Sequence, residues 1–174
     1  MVMRKINIVL FEPEIADNVG AIMRTCALTN AKLHLIEPFG FIFDKRNFAR
    51  SSANNFEGCE YLRYDDWNHF NDVNQNPNLF CMTRYGKKPI SDFDFSQIDN
   101  EIFIMFGKES TGIPKSILKN NIDKCFRIPM IASGRSLNIA NSMGIVTYEV
   151  LRQWNYLDLS KVEVEKGEDY LERD

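Results

Sequence analysis

The chain has 174 residues, 44% of them hydrophobic and 26% charged, which is enough to bury one ordinary core and points to a single compact domain. No stretch approaches the roughly 18 consecutive apolar residues of a membrane span, and the opening MVMRKINIVLFEP runs directly into a strand-like segment rather than a cleavable signal, which places the chain in the cytoplasm, away from the membrane. The formal charge of −3 is uneven: Asp158 to Asp174 hold seven acids and three bases, so the body is close to neutral and net charge neither supports nor excludes a nucleic-acid partner.

Residues 6–10 form a short apolar run closed by the turn at Glu12-Pro13 and read as a strand buried on both faces. A helix follows, with Asn18 as its N-cap and Val19, Ile22, Met23, Cys26 and Ala27 at helical spacing. The alternation repeats, with strands expected at residues 33–36, 61–64, 79–82, 102–106 and 125–128. Helices are expected at 45–51 and 66–73 and from about Pro114. Short apolar strands alternating with helices predict an α/β fold, a mainly parallel sheet with helices on both faces.

The last helix, about residues 137–154, carries two apolar stripes. Ile139, Met143, Val146, Val150 and Trp154 make one; Leu137, Ala140, Gly144, Ile145, Tyr148 and Leu151 make the other. One face can pack on the sheet, and the second predicts a subunit interface. The domain is expected over residues 1–157, with 158–174 as an acidic, mobile tail. The four cysteines are scattered and only two histidines accompany them, so they read as small buried hydrophobes and no metal site is predicted.

Three segments stand out. The first, residues 13–25, places Arg24 at the flank of the first helix's apolar face, where spacing alone also suits a solvated arginine. The second, Phe106-Gly107-Lys108-Glu109-Ser110-Thr111-Gly112-Ile113-Pro114, follows a strand, and glycine there lets a ligand approach the backbone at the carboxyl end of the sheet; a structural turn fits the spacing equally. Neither phosphate-loop nor dinucleotide glycine pattern is present, which disfavours a Rossmann-type oxidoreductase. The third, residues 128–142, is a strand end, a loop of small polar residues and the start of the two-faced helix, with Ser136 as a possible cap and Asn138 and Asn141 one turn apart.

Together these segments resemble the three motifs of the SpoU (TrmH) branch of the SPOUT methyltransferases: N-x-G-x-x-x-R, F-G-x-E-x-x-G-[IL]-P and I-P-M…S-[LM]-N-[IL]-[AS]-N occur in that order. The likeness covers residues 6–154. The opening I-V-L-F-E-P-E-I and the minimal length are most similar to the TrmL (YibK) type, a bare catalytic domain whose members methylate the ribose 2'-oxygen of the wobble nucleotide, C or U, in leucine tRNAs.

The resemblance implies a deep trefoil knot toward the C-terminus, S-adenosylmethionine as methyl donor without a metal, and a homodimer with the final helix at the contact. It places the donor at Met82, Gly107, Ile128 and Ser136, flanked by Phe106, Glu109, Met130 and Leu137. Arg24 corresponds to the catalytic arginine, with Asn18, Asn138 and Asn141 supporting it. For tRNA contacts the expected groups are Arg84, Tyr85, Lys87 and Lys88 in a loop after Met82, then Lys45, Arg46 and Arg50, with Tyr148 from the last helix. The same fold acting on another tRNA position or a ribosomal RNA, or serving as a non-catalytic RNA-binding dimer, is the alternative.

Overall fold

The computed structural model describes residues 4–44, 46, 48 and 55–173. Seven strands, β1 (Ile6–Phe11), β2 (Lys32–Ile36), β3 (Tyr61–Tyr64), β4 (Leu79–Met82), β5 (Lys88–Pro89), β6 (Ile102–Phe106) and β7 (Cys125–Arg127), form one parallel sheet in the order β3-β2-β1-β6-β4-β7-β5. β1 and β6 lie inside the sheet, and every residue of both is buried. That is why these strands are continuous apolar runs rather than alternating ones.

Helices α1 (Ala16–Thr29) and α4 (Ile139–Gln153) cover one face, α2 (Trp67–Asn74) and the short α3 (Lys115–Asn120) the other. One core cluster gathers Ile8, Leu10, Ile22, Met23, Phe126, Met143 and Trp154; the second, behind the sheet, gathers Val9, Phe70, Phe103, Met105 and Ile117. At ~25 cal/mol per Å² of apolar area, each fully buried side chain of this size contributes about 1.5–3 kcal/mol. All strands point the same way, so their carboxyl ends share one edge, where ligands of open parallel sheets bind.

Three local expectations are corrected. α1 begins at Ala16, so Asn18 lies inside its first turn and caps nothing. The cap of α4 is Asn138, whose side-chain oxygen accepts from Ala140 N at 2.8 Å and Asn141 N at 3.3 Å; Ser136 lies two residues too early. Lys88 belongs to β5, paired with Phe126 of β7, rather than to a loop. The expected helix at 45–51 lies mostly outside the described residues, as do Lys45 and Arg50.

One connection is unusual. β7 is seated between β4 and β5, although those two strands are joined only by residues 83–87. That segment therefore arches across the end of β7. Thr83 N donates to Phe126 O at 2.9 Å, and a Cβ on Gly86 would lie 2.4 Å from the Phe126 carbonyl carbon, so only glycine fits beneath the arch.

Candidate active site

Four segments converge at the carboxyl edge: the β1–α1 turn, the 83–87 strap, the loop after β6, and the loop before α4. The loop after β6 is closed on itself. Gly112 N donates to Lys108 O at 2.9 Å, and Gly112 adopts φ 75°, a left-handed conformation that glycine takes without strain. A Cβ on Gly107 would lie 2.1 Å from the Gly112 carbonyl carbon. The glycine expected to admit a ligand thus first admits its own loop.

A chain of polar contacts ties this loop to both helices. Glu109 accepts from Glu14 N and from Asn18 Nδ2, each at 2.9 Å. Asn18 Oδ1 accepts from Asn138 Nδ2 at 2.9 Å, and Asn138 in turn caps α4. Glu14 accepts from Ser110 N and Ser110 Oγ at 2.8 Å; these bonds, then nearby Lys108, hold its carboxyl below the usual range. Lys108 is paired with Glu12, which raises the ammonium's pKa. The three sequence motifs are therefore one hydrogen-bonded unit.

That unit walls a cleft of about 580 Å³. Met82, Phe106, Gly107, Glu109, Ser136 and Leu137 line it, as do Asn18, Asn138, Arg84 and Tyr85. Ile128 and Met130 line a small adjoining recess together with Met82, Ser136 and Leu137. All eight residues expected around a donor are thus gathered in one place. Sequence reasoning missed Ser142, which is 1% exposed, lines both spaces, and has a hydroxyl with no hydrogen-bond partner among the described residues. Its sequence signal was its place beside Asn138 and Asn141 at the polar start of an otherwise apolar helix. Glu14 and Lys108 gave no such signal, because their partners are set only by the tertiary fold.

The cleft fits an S-adenosylmethionine-like donor on two counts: its volume suits a ligand of that class, and an orphaned buried hydroxyl faces it. Arg24 is not part of the lining. It is exposed on α1, six residues beyond Asn18, a rise of about 9 Å. Asn141 is exposed as well and lies outside the lining. Lys87 and Lys88 are exposed near the strap, whereas Arg46 is engaged by Asp44 through bonds of 2.6 and 3.0 Å. Tyr148 is 49% exposed on α4, beside Ile145 at 47%. Leu151, expected on that same outer face, is buried at 2% because it turns in toward the core.

The sequence matches the SpoU rRNA Methylase family over residues 5–148. The chain belongs to the SpoU methylase family. This SpoU-family chain is 38% identical over 152 residues to the Escherichia coli K12 tRNA (cytidine(34)-2'-O)-methyltransferase, covering 87% of the chain and 95% of that protein. It is 44% identical over 155 residues to a Geobacillus stearothermophilus protein provisionally given the same name, covering 89% of the chain and 99% of that protein. A solved structure described as giving insight into 2'-hydroxyl methylation of C/U34 on tRNA superposes with a TM-score of 0.80 at 28% identity, covering 87% of the chain and 97% of the other. The AviRb methyltransferase of Streptomyces viridochromogenes, solved with AdoMet, shares the fold with a TM-score of 0.76 at 22% identity, covering 89% and 60%. The parallel α/β architecture is thus that of the SpoU methyltransferases.

Proposed function

We propose that this SpoU-family methyltransferase acts on tRNA, moving a methyl group from S-adenosylmethionine to the ribose 2'-hydroxyl of the wobble nucleotide, C or U, in leucine isoacceptors. The observation that carries the reading is the joining of all three motifs, through Glu109, Asn18 and Asn138, around one cleft. Identity of 38% to the E. coli enzyme across nearly its whole length supports nucleotide 34 as the target.

The donor supplies a methyl group already activated on a sulfonium, so no metal is called for. The chain's task is to hold the 2'-oxygen in line with that methyl at about 3 Å and to manage its proton. Arg24 orients the hydroxyl and the adjacent phosphate and stabilises the negative charge that develops; a free guanidinium is a poor base, so the hydroxyl's proton passes to solvent as the new C–O bond forms and the donor's C–S bond breaks. Arg24 lies outside its own chain's cleft, which supports its serving the cleft of a partner in a homodimer built on the exposed face of α4, with Ile145 and Tyr148 at the contact. The short strap across β7 supports the trefoil knot that the family likeness implies.

The test is incubation with labelled S-adenosylmethionine and unmodified leucine tRNA, beside an Arg24→Ala variant, followed by nuclease mapping. A 2'-O-methyl at nucleotide 34 that disappears with Arg24→Ala is expected. Donor binding without methylation of that tRNA refutes the substrate assignment.

A further inference from the structure

A larger cavity, about 750 Å³, lies on the other side of the loop after β6. It opens at the same carboxyl edge but toward α3, and it shares Thr83, Tyr85, Lys108, Thr111, Gly112 and Ile113 with the donor cleft as a common wall. The methyl transfer described above makes no use of it.

Its lining has a definite chemistry. The floor is apolar, from Phe11, Ile113, Leu118 and Cys125, and Ile122 stands at the rim 59% exposed. The rim is cationic. Lys87, Lys115 and Lys119 make no ion pair among the described residues, and the one acid in the lining, Glu12, is already paired with Lys108. Tyr85, 74% exposed, stands where the two clefts meet. An apolar slot ringed by free ammonium groups suits a flat uncharged ring attached to phosphates, and an exposed aromatic at its mouth suits stacking.

We propose that this cleft receives an unpaired nucleobase of the RNA substrate, close in the chain to the methylated ribose. The base rests against Ile122 and Leu118, and its phosphates meet Lys87, Lys115 and Lys119. The proposal rests on the reading of the protein as an RNA ribose methyltransferase. A base held on one side of the loop, with the donor on the other, fixes which ribose reaches the donor.

The experiment uses the full chain and an RNA hairpin carrying the anticodon stem and loop, with affinity read by fluorescence anisotropy and methylation by label transfer. Ile122→Ala, at an exposed position, weakens RNA binding about ten-fold and raises KM for RNA. Lys115→Gln with Lys119→Gln lowers the slope of log affinity against log salt by about one to two. Neither changes donor affinity measured by calorimetry. Single abasic substitutions along the loop identify one nucleotide whose loss costs the same factor and makes Ile122→Ala silent. RNA affinity and KM unchanged in both variants, with methylation by the wild type intact, overturns the cleft's role. Absence of any RNA methylation by the wild type overturns the functional reading, and this proposal with it.

An independent observation concerns Ser142. A helical hydroxyl ordinarily returns to the carbonyl four residues back, as Thr25 does to Ala21 O at 3.3 Å and Thr29 to Thr25 O at 2.7 Å. Ser142 does not, and its buried hydroxyl faces the donor cleft with no partner among the described residues. We infer that Ser142 Oγ hydrogen-bonds the bound methyl donor. Ser142→Ala then weakens donor binding about five-fold by calorimetry, while the thermal midpoint of the free protein holds or rises because a buried unsatisfied group is removed. An unchanged donor affinity overturns the assignment.

Discussion

Replacing Glu109 by glutamine tests whether the three motifs act as one unit. The relay has a fixed polarity. At one end Asn138 must present its oxygen to Ala140 N and Asn141 N, which turns its amide nitrogen toward Asn18 Oδ1. Asn18 must then present its own nitrogen to Glu109, whose other oxygen accepts from Glu14 N. A carboxylate satisfies both donors, whereas glutamine has one oxygen for the two. Either orientation sets N–H against N–H; turning over Asn18 moves the mismatch to Asn138, and turning over Asn138 as well moves it to the cap of α4.

One lost bond to a charged acceptor is worth about 1.5–3 kcal/mol, and leaving a donor unsatisfied has a similar cost. Because the site is only partly buried, about 1–2 kcal/mol is expected for Glu109→Gln. Glu109→Ala, which removes both acceptors but opens room for water, should cost about the same. The assay is urea denaturation of both variants, with donor binding by calorimetry. A Glu109→Gln variant within about 0.5 kcal/mol of wild type and binding donor normally would refute the polarity argument.

Other outcomes follow from the same geometry. Gly107→Ala forces a Cβ to within 2.1 Å of the Gly112 backbone, so donor affinity should fall more than about ten-fold and stability by about 1–3 kcal/mol, read by calorimetry and thermal melting. His34 is buried, its ring held by Tyr64 OH at 2.7 Å from Nδ1 and Asn7 Oδ1 at 3.0 Å from Nε2, and burial lowers its pKa from 6.5 to about 4. The unfolded chain therefore binds a proton that the folded one refuses. Stability present at neutral pH should be lost as pH falls from about 6.5 toward 4, by up to about 1.4 kcal/mol per pH unit. Urea midpoints of wild type and His34→Gln across that window check this; equal pH slopes would contradict it. Ile145→Glu with Tyr148→Glu, on the exposed face of α4, should yield a monomer in sedimentation if that face is the dimer contact, and an unchanged sedimentation coefficient would remove the face from the interface.

Much of the sheet was legible because a strand covered on both faces must be apolar throughout. IFIMF at 102–106 and LFCM at 79–82 end where their runs end. β5 was not legible: Lys88-Pro89 has no strand character of its own and is extended only because β7 lies alongside. Asn18 was misread as a cap because its amide is committed to Glu109, 91 positions away, a bond that no local pattern announces. The residues that line the candidate cleft were picked out through the motif likeness rather than through spacing, which left Gly107 and Ser136 open to bland structural readings. The α3-side cleft was invisible because Phe11, Tyr85 and Ile122 come from three separate stretches.

The seat of β7 bears on how the chain is made. Among the described residues β5 has no neighbour except β7, and β4 has nothing on that flank until residues 125–127 arrive. During synthesis, therefore, the apolar edge of β4 stays bare, and its backbone groups stay available to foreign strands, until nearly three-quarters of the polypeptide has left the ribosome. Chains stalled or cleaved before Cys125 should be markedly more prone to aggregate than those interrupted in the acidic tail, where every strand already has its neighbours.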